Sequence, residues 1–122
     1  MPALAREAEA VQARLEESVE RREEIVQLRM LLAEYGLSFI ELARSTPKHA
    51  DTRERMIEVG RAVASDSQLR AQIKKRKALP IMDVALLSGL SCKTVERHRR
   101  YLLAIVLIMT NDLPHLQTYL RP

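Results

Sequence analysis

The 122-residue chain carries 20 Lys and Arg against 16 Asp and Glu, a net charge of +4, with 47% hydrophobic residues, 3 Gly, 1 Cys and no Trp. One cysteine excludes a disulfide framework and a cysteine-rich zinc site, and the longest apolar run, the nine residues of Tyr101–Met109, is far short of the ~18–20 that a membrane span needs. Abundant Leu, Ala, Glu and Arg with little Gly predict an all-α protein, a compact multi-helix bundle with a long N-terminal helix, and the charged start Arg6, Glu7, Glu9 is no export signal, so a cytoplasmic location is expected.

Ala3 to Tyr35 contains neither Pro nor Gly. Leu4, Ala8, Val11 and Leu15, then Ile25, Leu28 and Leu32, recur at helical spacing. Between them Glu16–Glu24 is almost wholly charged or polar, so residues 1–24 read as an exposed connector or arm ahead of a domain at 25–122. The alternative is a short coiled coil, against which the stripe fails at Ser18 and Arg22. Gly36 is the expected left-handed stop.

Ser38-Phe39-Ile40-Glu41 has capping-box form and opens a short helix that ends before Pro47. Asp51-Thr52-Arg53-Glu54 predicts the cap of a helix through about Ala64, with Met56, Ile57, Val59 and Val63 inward. Gly60 inside it costs roughly 1 kcal/mol relative to Ala and points to a close helix approach. Ser65-Asp66-Ser67-Gln68 predicts a further start, for a helix running through Leu69 and Ile73 into Lys74-Lys75-Arg76-Lys77. Those cations suit the negative end of a helix dipole. Pro80 opens the next element.

From Pro80 to Arg100 the chain reads PIMDVALLSGLSCKTVERHRR. With Ile81 as the first position of a helix-turn-helix, Ala85 supplies the small residue at the helix crossing and Gly89 the turn glycine. Val84, Leu90 and Val95 lock the helices together, and Ser91 caps the second. A generic helical hairpin meets part of the same pattern. On the second helix Lys93, Arg97 and Arg100 are spaced i, i+4, i+7 and form one cationic stripe. Lys93, Glu96, Arg97 and Arg100 are therefore the candidate base-reading residues of a duplex-DNA interface. Glu96 either accepts from a cytosine amine or orients Arg97 or Lys93. The second role is favoured, because phosphates repel a carboxylate.

Ser91, Cys92, Thr94 and Arg99, with Lys74, Lys75, Arg76 and Lys77, are the candidate phosphate contacts. Arg99 falls toward the packed side and would have to reach around. Tyr101–Met109 is apolar all round, so the recognition helix is expected to be the protruding end of one central buried helix. Asn111 and Pro114 end it, and Leu116, Tyr119 and Leu120 are expected to form a last helix over the core.

Charge supports this location for the interface. Residues 59–122 hold 11 basic and 4 acidic side chains, whereas residues 1–58 hold 9 and 12. A basic field attracts polyanions. His49, His98 and His115 are too scattered for a metal site, and His98 is expected to pack at the helix-turn-helix junction. Cys92 has no partner arrangement that would make it catalytic. No phosphate-binding glycine loop or nucleophile elbow occurs. No metal, cofactor, small-molecule substrate or enzymatic activity is expected.

Several ordered motifs together resemble one family: Leu31-Leu32-Ala33-Glu34-Tyr35-Gly36-Leu37-Ser38-Phe39, Pro47-Lys48-His49-Ala50-Asp51-Thr52-Arg53, Leu79-Pro80-Ile81, Ser91-Cys92-Lys93-Thr94-Val95-Glu96-Arg97-His98-Arg99-Arg100-Tyr101 and Asn111-Asp112-Leu113-Pro114-His115-Leu116. Over roughly Ile25 to Arg121 the chain is similar to the C-terminal part of sigma-I RNA polymerase sigma factors. Cys92 stands where that pattern has a basic residue. The resemblance implies a domain that reads the promoter −35 element, sits on RNA polymerase core and is restrained by a membrane-anchored anti-sigma factor. It also implies an N-terminal domain that melts the −10 element, which these residues do not include. A protein-interaction module for anti-sigma factor or polymerase, with little DNA binding in isolation, is the rival reading. Oligomeric state stays open.

Overall fold

The structure, a computed structural model, describes residues 2–120, and these form no strand. The helices are α1 (Pro2–Glu34), α2 (Phe39–Ser45), α3 (Ala50–Ser65), α4 (Ser67–Arg76), α5 (Ile81–Ser88), α6 (Cys92–Arg97), α7 (Arg99–Thr110) and α8 (Pro114–Gln117), followed by a 3-10 turn at Thr118–Leu120. The all-α expectation holds.

The bundle is built around α7. Leu102 through Leu107 are all buried, and Met56, Val59 and Val63 of α3 lie against this core. An apolar surface on every side of a helix is stable only inside protein, which fits the unbroken apolar run. At Gly60 α3 and α7 approach closely: a methyl group there would stand 2.5 Å from Ile105 Cγ2. The close approach read from the sequence is therefore real. Leu69 and Ile73 of α4, and Leu28 and Leu32 of α1, complete the core.

α1 has two parts in its surroundings but not in its backbone. From Ala3 to Glu23 every side chain is exposed except the half-buried Ser18. Leu4, Val11, Leu15, Val19, Val26 and Met30 are exposed apolar residues. At 3.6 residues per turn Val19, Val26 and Met30 fall roughly opposite Leu28 and Leu32, whereas Leu4, Val11 and Leu15 fall on the flank between. α1 stops as expected at Gly36, whose φ is 74°. There the Leu37 amide donates to Leu32 O at 2.8 Å and closes the helix end.

One tie across the fold has no counterpart in the sequence reading. Glu24 is the buried charged residue of α1, only 6% exposed. Its carboxylate accepts from the amides of His115 at 3.0 Å and Leu116 at 2.9 Å, at the start of α8. Glu20 one turn earlier lies 2.6 Å from His115 Nε2. A carboxylate from one helix thus caps the positive end of another.

Four local expectations are corrected. α3 begins at Ala50 with His49 as its N-cap, so Asp51 sits inside the first turn instead of capping it. α4 is capped by Asp66, which accepts from the Leu69 amide at 3.0 Å, while Ser65 closes α3. Tyr119 is 66% exposed and does not cover the core; Leu113, Leu116 and Leu120 do. Finally, Cys92 to Met109 is not one helix, because α6 and α7 are separate elements joined at His98.

Candidate nucleic-acid interface

α5 and α6 form the helix-turn-helix. Gly89 takes φ 75° and donates to Ala85 O at 3.0 Å, ending α5 in the left-handed conformation that glycine adopts cheaply. Val84 and Val95 are fully buried, Ala85 is buried between them, and Leu90 packs beside the core. Ser91 Oγ accepts from the Thr94 amide at 3.1 Å and lies 2.9 Å from Thr94 Oγ1, so both hydroxyls serve the cap. Arg55 of α3 donates to Ser88 O at 3.1 Å and holds the end of α5. These bonds fix α6 from both ends of the turn.

The break after α6 changes the picture of a straight protruding helix. His98 has φ −106° and ψ 13°, outside the helical well. Its amide is shared between Thr94 O and Val95 O, both at 3.2 Å. Hydrogen bonding therefore runs through the joint although His98 itself leaves the helical conformation. His98 is half-buried, as expected of a junction residue, and its buried Nδ1 has no partner among the described residues. Burial, and to a smaller degree the neighbouring Arg97 guanidinium, hold its imidazole below the ordinary value of 6.5.

A depressed histidine pKa means that the unfolded chain binds the proton more readily. His98 then contributes stability that is present above pH 6.5 and is lost as pH falls below it toward the folded value. Thermal melts from pH 7.5 down to 5 should show this loss, and His98→Gln should flatten it. An unchanged slope in that variant would remove His98 as the cause.

The cations around this joint fall into two groups. Lys93 and Arg97 lie on α6, exposed, and neither makes an ion pair among the described residues. Arg99, Arg100 and Lys77 each already face a carboxylate. Arg99 meets Glu96 at 3.0 Å, Arg100 lies 3.9 Å from Glu41 of α2, and Lys77 is 3.7 Å from Glu34. Glu96 thus holds Arg99, not Arg97 or Lys93, and Arg99 is exposed instead of turned to the packed side.

Lys77 takes the left-handed conformation that ends α4 and stacks its ammonium 4.8 Å from the centre of the Tyr35 ring. Its left-handed turn had no glycine or asparagine to announce it. Lys77, Arg99 and Arg100 line one recess of about 250 Å³ with Glu41 and Tyr35. Lys74, Lys75 and Arg76 are exposed. Lys74 borders an adjoining recess with Thr110 and Asn111, and Lys77 and Tyr35 line both recesses. The structure therefore brings Lys93, Glu96, Arg97, Arg99 and Arg100 together at α6 and the start of α7, with Lys77 beside Arg99 and Arg100 and Lys74 next to Lys77 in the adjoining recess. Cys92 is an exposed free thiol at the first position of α6.

No family model matches the chain. It is 39% identical over 105 residues to the RNA polymerase sigma factor SigI of Bacillus subtilis, covering 86% of this chain and 42% of that protein. It is 34% identical over 105 residues to the SigI of Bacillus anthracis, covering 86% and 44%. The chain is a homologue of the sigma-I factors. SigI4 of Acetivibrio thermocellus matches at 31% over 107 residues, covering 88% of this chain and 39% of that protein. The sigma-I homologue thus spans about two-fifths of the length of the curated relatives it matches.

Sequence reasoning also passed over an apolar face on the helix-turn-helix itself. Met82 and Leu86, one turn apart on α5, are 71% and 81% exposed. An amphipathic reading would have found them, since Val84 and Ala85 claim the inward side. Among the described residues no helix is long and apolar enough to cross a membrane.

Proposed function

We propose that this chain is the promoter-reading domain of an alternative sigma factor of the sigma-I type, and that it recognises the −35 element as duplex DNA while seated on RNA polymerase core. The observation that carries this is α6: a six-residue helix capped by Ser91, anchored by the buried Val95, and presenting Lys93 and Arg97 outward one turn apart. A major groove about 12 Å wide accepts such an element, and arginine can engage both guanine acceptors. Ser91, Thr94 and Cys92 at the start of α6, with Arg99, serve the backbone, and Lys74 to Lys77 extend the basic field. In this reading residues 1–24 form the connector and 25–122 the domain. A membrane-anchored anti-sigma factor is the proposed restraint.

The test is fluorescence anisotropy with a −35 duplex and a scrambled one at several salt concentrations. Arg97→Ala should lose about 1–3 kcal/mol of discrimination at the base it reads. Neutralising Lys75 and Lys77 should instead weaken binding to both duplexes and flatten the salt dependence by about 0.9 per lost phosphate contact. Equal loss on both duplexes for Arg97→Ala would refute its reading role.

A second reading is favoured by the exposed Met82 and Leu86: α5 docks a protein partner, polymerase or anti-sigma factor, beside the DNA face. Contiguous exposed apolar surface marks interaction sites, and these two side chains are neighbours one turn apart on α5. Met82→Ser with Leu86→Ser, which leaves the charge unchanged, should abolish capture by polymerase core in a pull-down and leave duplex binding intact.

A further inference from the structure

Glu41 is the third residue of α2 in a capping-box sequence, and its amide donates to Ser38 Oγ at 3.2 Å, the expected cap. In such a box the side chain at this position returns to the N-cap amide. Here it does not make that bond among the described residues. Its carboxylate instead lies 3.9 Å from Arg100 Nε across the gap to α7, with the two side chains 45% and 47% exposed. Of the residues that line the recess holding Lys77, Arg99 and Arg100, Glu41 is the carboxylate.

We propose that Glu41 is an intramolecular competitor for Arg100: it occupies the guanidinium in the DNA-free protein and must give it up before Arg100 can neutralise a backbone phosphate. This rests on the DNA-binding reading above, and it moves Arg100 from base reading to backbone contact. Arg100 lies on α7, beyond the break at His98, and not on α6 with Lys93 and Arg97. Arg97 and Lys93 have no carboxylate to leave, so the restraint falls on phosphate contact and not on the groove-facing pair. Binding to any duplex draws chiefly on phosphate neutralisation, and a carboxylate beside the backbone contact lowers it. An exposed pair at this separation is weak, so the competition is real but surmountable.

The experiment uses the 122-residue chain and a mixed-sequence 24-base-pair duplex, by anisotropy at several salt concentrations. Glu41→Gln should bind about two- to five-fold more tightly than wild type, with a steeper salt dependence. Glu23→Gln, the same charge change on the exposed connector, should bind as wild type does. In an Arg100→Gln background Glu41→Gln should bring no gain. Without DNA, the Arg100 Nε–H resonance should shift in Glu41→Gln, which checks the contact in a folded protein directly. No gain in Glu41→Gln, a gain that survives Arg100→Gln, or an equal gain in Glu23→Gln would each overturn the competition. Duplex binding by none of these proteins, even at low salt, would overturn the DNA reading and this proposal with it.

Discussion

Replacing Gly60 with alanine is expected to lower the thermal midpoint by roughly 4–8 °C, against the gain that alanine brings to an exposed helix. Alanine is better than glycine in a helix interior by about 1 kcal/mol. At this position, however, the added methyl would stand 2.5 Å from Ile105 Cγ2 and 3.0 Å from Ile105 Cβ. Ile105 cannot swing aside, because a β-branched residue in a helix is held to essentially one χ1 rotamer, and it is buried at 2% exposure in the middle of α7. Overpacking of this kind costs about 1–3 kcal/mol; at the middle of that range about 1 kcal/mol remains after the propensity gain, which corresponds to the roughly 4–8 °C expected. Leucine has no branch at Cβ, so Gly60→Ala combined with Ile105→Leu should cost less than the sum of the two single changes. A double-mutant cycle by thermal or urea denaturation measures that coupling. Strict additivity would mean that the α3–α7 contact is not what demands a glycine.

Glu24→Ala should be about as damaging, by a different route. The carboxylate satisfies two backbone amides of α8 from a separate helix. Its removal leaves both without a partner, at about 1–3 kcal/mol for hydrogen bonds to a charged group. The loss should be local before it is global. Hydrogen exchange at the His115 and Leu116 amides should accelerate strongly, while the Leu102–Leu107 amides of α7 change only with overall stability. Glu24→Gln keeps one acceptor oxygen and should fall between wild type and alanine. If His115 and Leu116 exchange as slowly in Glu24→Ala as in wild type, the carboxylate is not the cap of α8.

These two positions show how differently residues announce themselves. Gly60 was legible because glycine inside an otherwise regular helix has a local cost that something must justify. Glu24 was not, since it sits in a run of charged residues and its partners lie 91 and 92 positions away. The same contrast holds at the interface. Ala85, Gly89 and Ser91 could be placed in a helix-turn-helix because each answers a short-range demand: a crossing, a positive φ, a cap. That Glu96 would turn to Arg99 and Glu41 to Arg100 depended on the break at His98 and on α2 lying beside α7. Neither follows from a helical wheel drawn straight through the joint. The misplaced cap at Ser65 has a related origin, because neighbouring Ser65, Asp66 and Ser67 offer alternative cap positions; α3 instead starts behind His49, which makes no side-chain cap bond and so leaves no mark in the sequence.

The sequence by itself determined the all-α class, the position of most helices, the left-handed turns at Gly36 and Gly89, and a cationic α6 on a helix-turn-helix. All of these rest on interactions between residues a few positions apart, where side-chain type and spacing leave few alternatives. Only the tertiary structure decided which cations stay unpaired, where the recognition helix ends, and how α1 is fastened to α8. Those outcomes depend on charges and helix ends brought together from distant parts of the chain, so no short-range pattern of residue type and spacing records them.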